Sequence, residues 1–349
     1  MANLTYHEQK DIENIKRLRQ LIKELPSFCA DFFRGIEPRT STRTRIAYAY
    51  DLRIFFEFLR SQNSAVAAMG DHIPLSVLEM LTVTDLEEYL EYLKCHPSIL
   101  GEDVINTERG IMRKASSLKS FFNYFFRNER IEKNPAALLR NPKLHEKEII
   151  RLEIDEVAKL LDQVEEGDKL TEKQKIYHER TKVRDLAMMS LLLGTGIRVS
   201  ECVGLNINDV DLDTCGIKIY RKGGKEAVVY FSDEVCDVLE KYMEEREMID
   251  AYSGHEEAFF LSMQRKRMNV RSVENLVKKY SRLVTPLKKI TPHKLRSTYG
   301  TSLYRETGDI YLVASVLGHN DVNTTRKHYA AQEDERRRSA RNVVKLREE

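Results

Sequence analysis

The chain has 349 residues and no run long and apolar enough to span a membrane. Its first residues, Met1 to Lys10, lack the apolar core of a signal peptide, so a cytoplasmic protein is expected. Charge of one sign is not in excess: the formal net charge is +2 at pH 7. Global charge therefore does not announce nucleic acid, and any basic footprint must be local. Cysteine is sparse and unpatterned. Cys29, Cys95, Cys202, Cys215 and Cys236 are odd in number, scattered, and include no C-x-x-C pair. That excludes a disulfide or zinc framework and predicts buried, reduced thiols. No cluster of Asp and Glu looks like a magnesium site beside the polar residues singled out below, so no metal and no cofactor is expected.

What is present describes an ordinary globular protein: 42% hydrophobic and 32% charged residues. This length predicts two domains, each able to bury a core. Apolar residues at helical spacing (Ile12, Ile15, Leu18, Leu21, Ile22, Leu25) predict a helix over 7–25 that Pro26 breaks. A polar, basic stretch from Glu37 to Arg45 leads into the apolar stripe Ile46, Tyr50, Phe55, Phe58 and Leu59. A further helix is predicted from about 106 to 128, with Phe121, Phe122, Phe125 and Phe126 behind Arg113, Lys114 and Lys119. Asn-Pro pairs at 134 and 141 and the polar run after them mark a linker.

Beyond the linker, Arg184 to Leu193 reads as a buried helix ending at Gly194-Thr-Gly196. The segment 209–231 is the only convincing β region, with Ile217, Ile219 and Tyr220 on one strand, a Gly-Gly turn at 223–224, and a return over 227–231. Helices are predicted over 233–247 and 270–284, then from Pro292, and again over 310–317, which Gly318 ends. The whole is mainly α with a small antiparallel sheet. The expected division is an N-terminal helical extension (1–35), a helical domain (36–141), a linker (142–152), a second domain (153–332) and a C-terminal helix (333–349).

The stretch from Thr291 to Tyr329 concentrates the chemistry. His293 and Arg296, three apart, share one face of a helix that Thr291 and Pro292 begin. Leu-Gly-His ends at His319, and Tyr329 follows. Arg binds phosphate oxygens bidentately, His donates hydrogen bonds or protons near neutral pH, and Tyr can form a covalent intermediate. Arg198, just after the double-glycine turn, is placed on a rigid support, as a phosphate ligand must be; its plainer reading is a surface arginine beside Glu201. Arg43, Arg45, Arg113, Lys114 and Lys119 are candidate DNA-backbone or groove contacts, although each is equally a solvated charge. Lys222 and Lys225 flank the hairpin tip, where they either solubilise it or reach DNA or a leaving group.

Taken in order, Arg198, Lys222, His293, Arg296, His319 and Tyr329 resemble the tyrosine recombinase (phage integrase) family. The chain looks most like its Xer-type and mobile-element members. The motifs are GTGIRVSE, a strand-turn lysine, HxxR, LGH and a tyrosine, and the resemblance runs from about Thr42 to Tyr329. The segments AYAYDLRIFFEFL and SSLKSFFNYFF resemble the family's helical, SAM-like core-binding domain. One departure is that the family's tyrosine commonly stands nine residues after the LGH histidine, the position of His328; Tyr329 is one residue further. Tyr299, Tyr304 and Tyr311 are expected to pack in the core.

The resemblance implies a two-domain clamp on double-stranded DNA with inverted-repeat half-sites, working as a homotetramer, with a second recombinase or accessory protein in some systems and no membrane. It implies that Arg198 and Arg296 clamp the scissile phosphate, His319 donates a hydrogen bond to it, and His293 assists proton transfer. Lys222, or its neighbour Lys225, would protonate the leaving 5′-hydroxyl. Tyr329 would form a 3′-phosphotyrosine, and Glu201 would support the site. Strand exchange through a Holliday junction, for integration, excision or chromosome-dimer resolution, is the implied function. The competing expectations are a DNA-binding protein of this fold that does not cleave, and a type IB topoisomerase-like relaxing enzyme.

Overall fold

The structure, a computed structural model, describes residues 5–70, 72–97, 101–140, 150–221 and 225–319. The chain separates into two compact units, Met1–Lys147 and Glu148–Glu349. Both are built mainly of helices, with small antiparallel sheets, as the hydrophobic patterning predicts. No described helix is long and apolar enough to cross a membrane.

The first unit contains α1 (Tyr6–Lys23), α2 (Cys29–Gly35), α3 (Thr42–Gln62), the short α4 (Ser64–Ala68) and α5 (Val77–Met80), α6 (Val83–Tyr92) and α7 (Glu108–Arg127). Its core is aromatic. Phe55 and Phe56 of α3 and Phe121, Phe122 and Phe125 of α7 are almost wholly buried, as are Phe32 of α2 and Tyr89 of α6. Their rings meet edge-on, with centroids 5.1 Å apart for Phe32–Phe121 and for Phe55–Tyr89, the arrangement ring quadrupoles favour. Leu18, Leu21 and Leu25 join the same core, so residues 6–35 share the hydrophobic interior of α3 and α7.

Local signals set the helix starts. Ser41 caps α3 by accepting from the Thr44 N–H, so the basic stretch read as a lead-in is already helical from Thr42. Thr82 opens α6 through a capping box with Asp85. One element was not expected: Cys95–Pro97 (β1) pairs with Asp103–Ile105 (β2) in a two-stranded hairpin. Three-residue strands with a Pro carry no alternation from which to be read. Cys95 is exposed on this hairpin, whereas Cys29, Cys202 and Cys236 are buried and Cys215 is half-buried; the expectation of five buried thiols is corrected at Cys95. None is in a disulfide.

The second unit contains α8 (Ile154–Glu165), α9 (Glu172–His178), α10 (Lys182–Thr195), α11 (Val199–Gly204), α12 (Asp233–Glu247), α13 (Val270–Val284), α14 (Pro292–Thr307) and α15 (Ile310–Leu317). Between α11 and α12 lies a three-stranded antiparallel sheet of β3 (Val210–Asp211), β4 (Gly216–Tyr220) and β5 (Glu226–Tyr230). Its register pairs Ile217 with Val229 and Tyr220 with Glu226. Helix α10 is apolar nearly all round, and Ala187, Met188, Met189, Leu191 and Leu192 are buried, the signature of a central helix. Of the expected linker, residues 142–149 lie outside the described ones. Leu152 is buried, and its N–H donates to Thr298 Oγ1 on α14 (3.0 Å). The C-terminal helix expected over 333–349 also lies outside the described residues.

Candidate phosphate-binding site at the end of α15

Helix α15 opens at Asp309, whose side chain accepts from the Tyr311 and Leu312 N–H groups, and closes at Gly318 in the left-handed region (φ +62°). The His319 N–H then returns to Ala314 O (2.9 Å) and the Gly318 N–H to Ser315 O (3.0 Å). This doubly bonded glycine end fixes where His319 leaves the helix. His319 is half-buried.

Two of the expected arginines meet at that turn from different elements. Arg296 lies on the buried face of α14, beside Leu295 and Thr298. Only 5% of it is exposed. It donates from Nη1 to Gly196 O (2.6 Å) and from Nη2 to Leu317 O. Arg198 stands at the start of α11. Its Nη2 donates to Gly318 O (3.1 Å), and its Nη1 to Glu201 Oε1 (2.8 Å). Glu201 is buried and also accepts the Arg198 backbone N–H at 2.7 Å. A buried carboxylate of this kind is tolerable only when paired and hydrogen-bonded. Arg198 is thus both the partner of Glu201 and an arm of the site, so the two readings of it are compatible. The double-glycine turn before Arg198 has its own requirement: Gly196 adopts φ +62°, and a Cβ there would press into Tyr299 and Leu317.

His293 lies one turn before Arg296 on α14 and is exposed, while Arg296 is buried. The shared helix face thus has an open end and a closed one. Lys222 and Tyr329 lie outside the described residues. Lys225 is exposed, and its carbonyl accepts the Arg221 N–H (2.8 Å), one pair beyond Tyr220–Glu226 toward the turn. Of the three nearby tyrosines, Tyr304 is buried and Tyr299 half-buried, and burial raises the Tyr299 pKa. Tyr311 is 72% exposed on α15, contrary to the expectation of a core position. The second position after the cap faces outward because Ile310, Val313 and Leu317 take the buried side.

The chain matches the phage integrase family over residues 151–336. It is 32% identical over 329 residues to the tyrosine recombinase XerC of Caldanaerobacter subterraneus subsp. tengcongensis, covering 91% of this chain and 86% of that protein. The chain belongs to the phage integrase family of tyrosine recombinases. Among its relatives in that family is the tyrosine recombinase XerS of Streptococcus uberis, 31% identical over 339 residues, with 89% of this chain and 93% of that protein covered. The integrase-family fold is also seen in a crystal structure of XerH site-specific recombinase bound to a palindromic difH substrate. The TM-score is 0.63 at 17% identity, covering 86% of this chain and 79% of that one. The Tn1549 transposon integrase in complex with circular intermediate DNA gives a TM-score of 0.61 at 20% identity, covering 86% of this chain and 94% of that one.

Within this integrase-family chain, the residues read as DNA contacts in the first unit separate into two groups. Arg45 is 9% exposed and paired with Glu37 (2.9 Å). Lys114 is 7% exposed and donates to Asn106 Oδ1 (2.7 Å), with its pKa lowered by burial. Both are engaged by partners inside the first unit and expose little surface. Arg113 forks onto the buried carboxylate of Asp51 at 2.6 and 2.7 Å while half its side chain stays exposed. Arg43 is exposed and Lys119 half-buried. The signal missed in the sequence was Asp51 itself: a lone acid inside an apolar helical stripe requires a cation.

Proposed function

We propose that this tyrosine recombinase cuts and rejoins double-stranded DNA site-specifically, without metal or cofactor, through a tyrosyl–DNA bond. One observation carries the reading. Arg198, from the start of α11, and Arg296, from α14, converge on the turn that presents His319. Two guanidinium groups and an imidazole held by packed elements form a preorganised site for a phosphate gaining charge in its transition state.

In this reading Tyr329 Oη attacks the scissile phosphorus, the bond to the 5′-oxygen breaks, and the leaving oxygen takes a proton from Lys222 or Lys225. Arg198 and Arg296 hold the non-bridging oxygens, His319 donates to one of them, and His293, at the exposed end of α14, assists proton transfer. The 3′-phosphotyrosine conserves the energy of the cut bond, so an incoming 5′-hydroxyl reverses the step and religates the strand. Glu201 holds Arg198 in place. Family membership supports, as part of this reading, action as a homotetramer on paired half-sites, through a Holliday junction, in the cytoplasm. The first unit would serve as the core-binding domain, with Arg43 and Lys119 its remaining candidate contacts, and the C-terminal helix would dock on a neighbouring subunit.

The test is covalent trapping. The full chain is incubated with nicked suicide substrates carrying a candidate site, and adducts are resolved on a denaturing gel. The wild type is expected to form an adduct that Tyr329→Phe abolishes. An adduct that persists in the variant moves the nucleophile elsewhere, with exposed Tyr311 the first position to substitute. Tight DNA binding with no adduct from a substrate bearing the cognate site would leave a DNA-binding protein that does not cleave.

A further inference from the structure

The last carbonyls of an α-helix have no intrahelical donor and must find partners elsewhere. At the end of α15 they find three guanidinium groups. Arg296 and Arg198 take Leu317 O and Gly318 O. The two carbonyls before these are taken by Arg221, which follows β4. Its Nη1 donates to Ser315 O (3.1 Å) and its Nη2 to Val316 O (2.7 Å). Three cations at a helix C-terminus are attracted by its partial negative charge. They repel one another, however, and burial together with nearby Arg198 lowers the Arg221 pKa while Glu201 opposes this.

Arg221 has no part in the reaction as drawn above, yet it is tightly built in. Its Nε is buried and makes no hydrogen bond. Its guanidinium lies so close to Gly318 that a Cβ there would overlap it, and Gly318 already needs φ +62°. Its own N–H closes the β4–β5 hairpin on Lys225 O. One side chain therefore ties the end of the sheet to the turn from which His319 departs.

We propose that Arg221 is a positioning residue for His319. Its planar fork holds two successive carbonyls at fixed spacing, which a lysine point charge does not reproduce. The last turn of α15 is thereby held against the sheet, and His319 is held at the height of the Arg198 and Arg296 guanidinium groups. Arg221 acts through that turn and does not touch the DNA. The inference rests on the reading of His319 as a donor to the scissile phosphate.

The experiment is a double-mutant cycle in single-turnover cleavage. It uses the full chain and a suicide substrate at saturating concentration, with DNA affinity and thermal midpoint measured on every variant. Arg221→Gln is expected to slow cleavage about 10- to 100-fold, the scale of an ångström-level misplacement, with DNA affinity unchanged within about twofold. Arg221→Lys, which keeps the charge and loses the fork, is expected to be slowed as well, and it serves as the working variant if Arg221→Gln fails to fold. The deciding variant is Arg221→Gln/His319→Ala: if Arg221 acts through His319, the double variant is no slower than His319→Ala alone. Multiplicative losses overturn the proposal, as does a fall in affinity matching the fall in rate, or a wild-type rate in both Arg221 variants. A wild-type rate in His319→Ala has a different meaning: the reading of His319 itself fails, and the proposal falls with it.

Discussion

A buried guanidinium needs acceptors inside the protein, and Arg296 finds two in the carbonyls of Gly196 and Leu317, one from the turn after α10 and one from the end of α15. Gly196 and Gly318 flank the site in left-handed conformations that side chains rarely adopt, and their carbonyls accept from Arg296 and Arg198 respectively. A second buried polar cluster in the same unit was invisible in the sequence. Asp185 accepts from Arg184, Thr181 and Tyr280, and the Tyr280 hydroxyl also contacts His178 Nδ1 (3.0 Å) and Lys279 (3.1 Å). His178 has charged neighbours in the chain, Lys175, Glu179 and Lys182, yet it is 1% exposed. Burial, and then Lys279, push its pKa below the ordinary value, while Glu179 and Asp185 oppose this. A lowered folded pKa means the unfolded chain binds the proton first. Stability is therefore complete above about pH 6.5 and is lost as pH falls below it. Denaturant midpoints measured between pH 7.5 and 5 should fall more steeply for the wild type than for His178→Gln; parallel slopes would show that His178 is not the titrating group.

At the scale of elements, the helices with strong one-sided patterning and good caps lie where the sequence places them: 233–247, 270–284 and 310–317 are recovered without change. Helix α2 is the instructive case. The sequence shows a second short helical piece over 28–33 that ends at Gly35, but it belongs to a segment set apart as an extension. In the fold Phe32 is wholly buried among Phe33, Tyr48, Phe121 and Tyr124. Phe32→Ala should cost about 3–5 kcal/mol, the usual range for emptying a buried aromatic site. Equilibrium urea unfolding of the full chain checks this in the transition of the first unit. A loss below about 1 kcal/mol, as for ordinary surface changes, would mean that residues 6–35 are not part of that core.

At the scale of the whole molecule, a net charge of +2 supplies little general attraction to DNA. Binding must therefore come from local cations such as Arg43, Lys119, Lys225 and the site arginines. Each phosphate neutralised releases counterions and makes binding salt-dependent. With six or more such contacts the affinity should fall about a thousandfold between roughly 50 and 200 mM salt. Fluorescence anisotropy with a fluorescently labelled duplex measures this directly, and a flat response would remove extensive backbone contact from the proposal.

The sequence by itself determined the family, the mainly helical class, the hairpin over 210–230 and the ordered residues Arg198, His293, Arg296 and His319. These are local signals: glycines where the chain must turn left-handed, caps where helices begin, and motif residues whose types suit phosphate chemistry. Only the tertiary structure decided which cations stay available. Whether Arg45 and Lys114 face solvent or an internal acceptor depends on what packs over them from another element, and so does the exposure of Tyr311. Arg221 was passed over for the same reason. Its role lies in two carbonyls almost a hundred residues away in the chain, and no spacing pattern encodes a contact between a strand end and the far end of a helix.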